Sequence, residues 1–341
     1  MSVLPDLLRK KYLHQKYQLY GKQIAIKKCR WSHSLLVEGR PCYKGYYGIQ
    51  SHRCIQSTPN LICDHQCLFC WRIQESDLGI ESQYKKFDAD SSPIEIKNQK
   101  YFDSPDKVIE GLLWGWRRII SGYGAQVGKS IPEERYAEAK DPKHITFSLA
   151  GEPFFYPYLP ELIAKLKDKD FTVFIVTNGT VPETIQQFID GNIYPTQLYV
   201  TVPAPDKQTY QRTCRPEIKN GWIKILETLD IIGSNYPERT VGRLTVAKNI
   251  NLTNAKGYAT ILNHMKPSFI EVKGAVHVGS AQIRLERQTM PYHEDILEFT
   301  TELQQHLSNY ELVGEKADSL VTILSNNKHP LLIPGLKSMF N

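Results

Sequence analysis

From residue 143 onward, apolar runs that resemble buried strands alternate with amphipathic helical patterns. The runs "HITFSLA", "FTVFIVTNG" and "QLYVTVPAP" are each followed by a stretch with helical periodicity. Continuous apolar strands of this kind are typical of a parallel sheet that is covered by helices. Parallel neighbours need right-handed crossover connections, so the pattern predicts an α/β fold, either an open doubly wound sheet or a barrel.

The same alternation continues along the chain. Further strands are predicted in "TVGRLTVAK", "SFIEVKGA" and "SLVTILS". Helices are predicted within residues 1–20 and at 104–122, 158–169, 181–190, 207–231, 255–265 and 292–307. Residues 21–75 are predicted to be rich in loops, and residues 85–100 to form a polar, exposed loop.

Three polar motifs lie where predicted strands end. "GEP", "TNG" and "PAP" close the first, second and third apolar runs after residue 143. In parallel α/β folds the active site lies at the C-terminal ends of the strands. The sequence therefore predicts a functional site at that edge of the sheet.

Residues 63–72, "CDHQCLFCWR", place three cysteines close together. Three thiolates can hold a metal centre and leave one coordination position open. One interpretation is a zinc site in which His65 supplies the fourth ligand. The other is a 4Fe–4S cluster held by Cys63, Cys67 and Cys70, with one iron free to bind a substrate or cofactor.

Cys29, Cys42 and Cys54 are spaced more widely than the ligands of a zinc finger. They are either three unrelated buried thiols or the ligands of a second 4Fe–4S cluster with an open iron. Nothing in the sequence indicates export, and intracellular cysteine clusters are more often metal sites than disulfides. The isolated Cys214 is predicted to be a buried apolar filler.

The first 54 residues are rich in Lys, Arg, Tyr and Trp, in a chain with a net charge of +6. Such a surface suits phosphates and unstacked bases, with Trp31 and the tyrosines of residues 43–47 as stacking groups. The alternative is a solvated helix followed by a loop.

The two tryptophans of "WGWRR", Trp114 and Trp116, are predicted to pack in the core. No apolar run approaches the length of a membrane span, so we expect a cytoplasmic protein with no membrane partner.

The C-x3-C-x2-C spacing, with an aromatic residue before the last cysteine, resembles the signature of radical S-adenosylmethionine (SAM) enzymes. The resemblance implies S-adenosyl-L-methionine as a cofactor, chelated by the open iron and cleaved to a 5′-deoxyadenosyl radical. The Glu152 carboxylate would pair with the cofactor's ammonium group, although a Glu favoured by a helix N-terminus is the alternative. The cofactor-binding residues implied by the resemblance are Phe69, Gly151, Glu152, Pro153, Thr177, Asn178 and Thr201.

A closer resemblance is to the 4-demethylwyosine synthase family of wybutosine biosynthesis. It rests on Cys29, "CYKGYYGIQSHRCIQSTPNLICDHQCLFCWR", "SLAGEP", "VTNGT", "LYVTVPAP", "FIEVKGAVHVG" and "MPYHED". It implies a partial (β/α)6-type radical SAM barrel with an N-terminal Cys-rich extension. It also implies two 4Fe–4S clusters and a tricycle built from pyruvate on N1-methylguanosine at position 37 of tRNA(Phe).

The family resemblance divides the chain into a basic, second-cluster-binding extension (residues 1–56), a barrel (57–330) and a C-terminal tail (331–341). Lys44 is predicted to form a Schiff base with the ketone of pyruvate, and an ordinary surface lysine is the alternative. Pyruvate would chelate the open iron of the second cluster. His52 and Arg53 are predicted to bind a substrate carboxylate or a phosphate.

Some features depart from the family pattern. Eukaryotic members carry an N-terminal flavodoxin-like FMN domain, whereas 28 residues precede Cys29 here. An archaeal-type monomer with an external electron donor is therefore expected. "TVPAP" and "HVGSAQ" are smaller deviations. Two alternative functions stay open at this point: another radical SAM enzyme with an auxiliary cluster, and a non-catalytic zinc-binding protein that binds RNA.

Overall fold

The computed structural model describes residues 4–86 and 101–340, so most of the predicted loop at 85–100 lies outside the described residues. Over these residues ten strands form one sheet. The strands are β1 Gln18–Tyr20, β2 Ile24–Ile26, β3 Cys54–Thr58, β4 His144–Phe147, β5 Thr172–Thr177, β6 Gln197–Thr201, β7 Thr240–Val246, β8 Phe269–Gly274, β9 Glu311–Lys316 and β10 Val321–Ser325. The α-helices are α1 Asp6–His14, α2 Arg30–His33, α3 Pro105–Ser121, α4 Glu133–Lys140, α5 Leu159–Lys167, α6 Pro182–Asp190, α7 Lys207–Cys214, α8 Gly221–Asn235, α9 Ala255–Met265, α10 Ala281–Arg284 and α11 His293–Gln304.

Strands β3 to β8 run parallel and lie side by side in the order of the sequence. Because each right-handed crossover then places its helix on the same face, the sheet curls into a partial barrel instead of a doubly wound sheet. Strands β1 and β2 extend one edge and β10 and β9 the other, all by antiparallel pairing. The predicted α/β class and partial (β/α)6 barrel are confirmed.

Most predicted helices are found near their predicted bounds, and 207–231 is divided into α7 and α8. The division follows two residues with left-handed backbone, Arg215 (φ +44°) and Asn220 (φ +57°), which end one helix and precede the next. Strand β3 falls in the region that was predicted to be loop-rich. The predicted boundary between residues 56 and 57 therefore lies inside the first barrel strand.

Side chains of the barrel strands alternate between two cores. Val173 and Ile175 of β5 pack outward with Leu162 of α5 and the other helices. Phe174, between them, points inward and packs with Tyr199. The outward core fixes the helices, and the inward core determines which groups reach the barrel interior.

The barrel interior is filled by the turn at residues 43–49, which carries two buried tyrosines, Tyr43 and Tyr47. The ring of Tyr47 meets that of Phe269 edge-on, with centroids 5.5 Å apart. These two tyrosines cannot stack on RNA bases, so the prediction of an RNA-contacting role is wrong for them. Composition alone does not distinguish an aromatic surface from an aromatic barrel filling.

The two tryptophans of "WGWRR" have different surroundings. Trp116 is buried and donates its indole N–H to Ala139 O at 2.8 Å, which confirms the predicted core role. Trp114 is half-buried on the outer side of α3, with its ring 5.3 Å from that of Tyr20. Among the described residues, no helix has the length and apolar character needed to cross a membrane.

Candidate active site

The cysteines of residues 63–70 lie on the loop after β3, at the C-terminal ends of the parallel strands. Cys63, Cys67 and Cys70 are half-buried, and none forms a disulfide. The loop backbone is bound to the end of α7, because Gln66 N donates to Cys214 O at 3.0 Å. Three free thiols held at this spacing fit the ligand set of a 4Fe–4S cluster with one open iron.

One ring nitrogen of His65 is already engaged by a neighbouring side chain. Its Nε2 lies 2.6 Å from the hydroxyl of Tyr210, and burial lowers the pKa of the imidazole. This arrangement does not support His65 as a zinc ligand. Within the described residues, no three Cys, His, Asp or Glu side chains form a group that could hold a metal ion. Cys214 is buried, as predicted, and its neighbouring thiol, followed by burial, raises the pKa of Cys67.

The "GEP" segment follows β4 and is pressed against the start of the cysteine loop. Gly151 has a φ of +70°, and a Cβ atom there would lie 2.3 Å from Asn60 O. Only glycine permits so close an approach. The backbone N–H of Glu152 donates to Ile62 O at 2.7 Å. The "GEP" segment is therefore bound to Ile62, the residue that directly precedes Cys63.

Glu152 is a buried carboxylate at the mouth of the barrel. It accepts hydrogen bonds from Phe154 N (3.0 Å), Thr177 Oγ1 (2.7 Å) and Asn178 N (2.7 Å). Burial raises the pKa of Glu152 to about 8, although these three donors favour the ionised form. An ammonium group that arrives beside Glu152 would add an opposite charge and so favour the ionised carboxylate.

Asp64 is a functional candidate that sequence reasoning missed. It is fully buried next to Cys63, and its Oδ1 accepts a hydrogen bond from Asn178 Nδ2 at 2.6 Å. Its Oδ2 has no hydrogen-bond partner among the described residues. The only signal in the sequence is its position after the first cysteine of the motif.

The remaining predicted cofactor residues lie at the same end of the barrel. Phe69 is half-buried in the loop between Cys67 and Cys70, and Pro153 begins a short 3-10 turn. Thr201 is half-buried at the last position of β6, on the inward side that it shares with Tyr199. The structure thus brings the predicted set to one edge and joins Glu152, Thr177 and Asn178 directly.

The widely spaced cysteines also come together. Cys29 precedes α2, Cys42 precedes the 43–47 turn, and Cys54 begins β3. Burial, followed by the neighbouring Cys29 thiol, raises the pKa of Cys42 to about 11. Burial also raises the pKa of Cys54. All three thiols are free, and each lies near enough to the others to affect the pKa of a neighbour. Cysteine thiolates are the usual ligands of a 4Fe–4S cluster, although the described side chains are not arranged as a metal-ion site.

Lys44 directs its amine into the barrel interior. Its Nζ lies 4.8 Å from the ring centroid of Tyr199, 5.0 Å from that of Phe174, and 3.5 Å from Thr146 Oγ1. Burial, followed by the charge of Arg243, lowers the pKa of the Lys44 ammonium. This enclosed position argues against an ordinary surface lysine.

Arg243 and Glu271 form a buried ion pair beside Lys44 that the sequence did not reveal. Arg243 donates to Glu271 through Nε (3.0 Å) and Nη2 (2.6 Å), and Nη2 also donates to Tyr43 Oη at 2.5 Å. Tyr47 donates to the other carboxylate oxygen at 2.9 Å. Through these hydrogen bonds the pair holds the turn that carries Lys44 against strands β7 and β8.

His52 and Arg53 are bound to carboxylates of the protein itself. His52 Nε2 lies 2.7 Å from Glu138 Oε2, and Arg53 Nη2 donates to Asp141 Oδ2 at 2.8 Å. Since both side chains already have carboxylate partners, this arrangement does not support the predicted role in binding a substrate anion.

A cationic and aromatic group lies beside the cysteine loop. Arg72 lies 4.1 Å from the ring centroid of Trp71, and Lys27 lies 5.4 Å from the same ring. Arg72 also donates to Ser148 O, just before the "GEP" segment. We call Lys27, Trp71 and Arg72 the mouth group.

Two family models match the sequence. The model described as the radical SAM superfamily covers residues 58–255, and the one described as wyosine base formation covers residues 264–326. The first match supports S-adenosylmethionine and one 4Fe–4S cluster as cofactors.

Similar proteins match nearly the whole chain. It is 37% identical to the S-adenosyl-L-methionine-dependent tRNA 4-demethylwyosine synthase of Pyrococcus abyssi, over 94% of this chain and 89% of that protein. It is 36% identical to the synthase of Methanocaldococcus jannaschii, over 96% and 99% of the two chains. The chain belongs to the tRNA 4-demethylwyosine synthase family. A solved structure of a family member, described as TYW1 with a lysine-pyruvate adduct bound, is 35% identical, with a TM-score of 0.80 over 96% of this chain and 97% of that chain.

Membership in the tRNA 4-demethylwyosine synthase family decides against the non-catalytic zinc alternative. Arg284 of α10 lies in the segment matched by the wyosine model, and its contacts connect that segment to the cysteine loop. This buried guanidinium donates to the backbone carbonyls of Leu68 (3.4 Å), Cys70 and Arg72 (3.2 Å), and it pairs with Asp77. The wyosine segment of the synthase therefore holds the cysteine loop of the radical SAM segment.

Proposed function

We propose that this chain is a carbon–carbon lyase that condenses N1-methylguanosine at position 37 of tRNA(Phe) with pyruvate to form 4-demethylwyosine. Hydrogen abstraction from the N1-methyl group would give a methylene radical that adds to pyruvate. Scission of the bond to the pyruvate carboxylate would release that carbon as the carbon dioxide radical anion, which carries the unpaired electron away. Attack of the guanine amino group on the remaining imine carbon would then close the third ring and return the Lys44 amine, so that water is lost overall. The family assignment and the contacts of the half-buried Lys44 amine with Tyr199, Phe174 and Thr146 support this reaction.

The residues present fit two clusters and one organic cofactor. Cys63, Cys67 and Cys70 would hold the cluster that, when bound, supplies the electron for cleavage of S-adenosylmethionine. The second trio, Cys29, Cys42 and Cys54, would hold an auxiliary 4Fe–4S cluster. Glu152 would accept the ammonium group of S-adenosylmethionine. Phe69, Gly151, Pro153, Thr177, Asn178 and Thr201 would complete the cofactor site.

The position of the Lys44 amine is the observation that carries the proposal. In its neutral form this amine can add to the keto carbon of pyruvate, and water then leaves to give an imine. Burial and Arg243 both favour the neutral amine. Cys42 lies two residues away, so the imine would form next to the second trio. The related structure that holds a lysine-pyruvate adduct supports this role.

The target nucleotide must leave its stack in the anticodon loop to reach the barrel, at a cost of about a few kcal/mol. The mouth group offers an aromatic ring and two cations for this nucleotide. Binding of tRNA should therefore weaken with salt, and Lys27→Glu should weaken it further.

The setting of the enzyme is part of the same proposal. All seven cysteines are free, which suits the reducing cytoplasm. We propose an external electron donor and a monomeric enzyme. Gel filtration tests the monomer, and reduction of the purified protein by a separate flavoprotein tests the donor.

The decisive experiment is an anaerobic incubation with S-adenosylmethionine, a reductant, N1-methylguanosine tRNA and isotopically labelled pyruvate, followed by nucleoside mass analysis. We expect 4-demethylwyosine that carries two labelled carbons. Lys44→Ala should make none while still cleaving S-adenosylmethionine. An unchanged N1-methylguanosine in the wild-type reaction, with S-adenosylmethionine cleaved, would overturn the assignment.

A further inference from the structure

Residues 330–340, which we call the closing segment, pack against the turn that carries Lys44. Met339 N donates to Gly45 O at 3.2 Å, and Ile333 N donates to Tyr47 O at 3.2 Å. The rings of Phe340 and Tyr46 lie 4.4 Å apart. The closing segment therefore contacts the three residues that directly follow Lys44.

The two glycines of the turn allow this close contact. A Cβ atom at Gly45 would lie 2.8 Å from both Met339 Cβ and Phe340 Cε2. At Gly48 (φ +90°) it would lie 2.6 Å from Leu336 Cβ. Real Cβ contacts are not that short, so the turn and the closing segment fit only with glycine at these positions.

The closing segment is itself fixed to the barrel. The buried Arg239 donates to Pro330 O and, at 3.0 Å, to Leu331 O. The side chain of Ile333 is 5% exposed and belongs to the inward core. The described part of the predicted C-terminal tail, residues 331–340, therefore packs against the barrel.

The opposite side of the turn is held by polar contacts. The hydroxyls of Tyr43 and Tyr47 bind Arg243 and Glu271 inside the barrel. The turn thus lies between a polar pair on its inner side and the closing segment on its outer side. Because Lys44 lies on this turn, both sides determine where its amine points.

We propose that Met339 and Phe340 are positioning residues for Lys44 in imine formation with a 2-keto acid. The inference rests on the proposed function, because it assumes that the Lys44 amine adds to the ketone and that water leaves. A misplacement of about 1 Å costs an enzyme on the order of a hundredfold in rate. Loss of the outer contacts should slow imine formation and leave the radical SAM site, at the mouth of the barrel, unchanged.

The test traps the imine. Borohydride adds hydride to the imine carbon and leaves a stable secondary amine, which peptide mass analysis locates at Lys44. We expect Phe340→Ala, and a chain that stops after Lys337, to form the adduct about tenfold to a hundredfold more slowly than wild type. Phe340→Tyr retains a ring on Tyr46 and should restore the rate. Lys337→Ala, which changes an exposed side chain, is the matched control.

The second measurement is reductive cleavage of S-adenosylmethionine to 5′-deoxyadenosine by the same reconstituted proteins. We expect this rate and the thermal midpoint to stay at wild-type values in Phe340→Ala. Wild-type trapping rates in both Phe340→Ala and the shortened chain would overturn the inference while the proposed function stands. Parallel loss of trapping and cleavage in Phe340→Ala would also overturn it, by showing a general structural role. Absence of a Lys44 adduct in wild type would instead overturn the imine step of the proposed function, and the inference with it.

Discussion

Asn178 and Asp64 are joined by a hydrogen bond of 2.6 Å that links the end of β5 to the cysteine loop. The backbone N–H of Asn178 binds the Glu152 carboxylate, while its side-chain amide binds the carboxylate beside Cys63. One residue therefore couples the "GEP" segment to the first cysteine of the loop. This coupling explains why the "TNG" motif follows a buried strand at the active-site edge.

Removal of this link should destabilise the apoprotein. Asn178→Ala leaves the buried Asp64 without its amide donor, and an unsatisfied buried group costs about 1–3 kcal/mol. Anaerobic denaturant unfolding should show a loss of that size. Asn178→Ala combined with Asp64→Ala should recover part of it, because both polar partners are then absent. Gln186→Ala, on an exposed face of α6, should change the free energy of unfolding by less than about 0.5 kcal/mol. A double variant less stable than the single one would contradict the coupling.

Glu152 should make the stability of the apoprotein depend on pH. Its pKa is raised by burial to about 8 in the folded state, above the ordinary 4.5. The folded state therefore binds the proton more tightly, and this contribution to stability is complete below the ordinary pKa and lost as the pH rises through about 8. Denaturant unfolding of wild type and Glu152→Gln across this range isolates the effect. If the free energy of unfolding changed equally with pH in the two proteins, Glu152 would not be the source of the pH dependence.

The buried Arg243–Glu271 pair should be costly to break. Glu271 is fully buried, so Glu271→Ala leaves an uncompensated guanidinium in the barrel and should lower the free energy of unfolding by about 3–5 kcal/mol. Asp106→Ala removes an exposed ion pair with Lys165 and should cost less than about 1 kcal/mol. Denaturant unfolding measures both variants. Similar losses of unfolding free energy in Glu271→Ala and Asp106→Ala would mean that water reaches the Arg243–Glu271 pair.

Much of the fold follows from local sequence patterns. Strands β5 and β6 are largely apolar runs because helices cover one face of the sheet and the filled barrel covers the other. Their ends were also predictable, so Glu152, Thr177 and Asn178 could be placed together before the structure. Each strand and its following helix lie in one short stretch of sequence, so local patterns are enough to predict where the strand ends.

The barrel interior was harder to predict, because its partners are distant in sequence. Strand β3 is short and lies among cysteines, and it becomes a barrel strand through pairing with β4. Tyr43 and Glu271 are polar groups whose burial depends on each other and on Arg243. Polar residues inside a barrel have the composition of a surface, so only tertiary contacts distinguish the two. The same reason explains why Asp64 and Arg284 were missed.

The two cysteine trios should separate cleanly by iron content. Wild-type protein reconstituted anaerobically should hold about eight irons and eight sulfides per chain, since each 4Fe–4S cluster contributes four. Cys42→Ala should keep about four irons and still cleave S-adenosylmethionine without forming a tricycle. Cys63→Ala should also keep about four irons but lose cleavage, because its trio holds the cluster that reduces the cofactor. Cys214→Ser, outside both trios, is the control and should retain the full content. A Cys42→Ala variant with full iron content and normal product would show that the second trio holds no cluster.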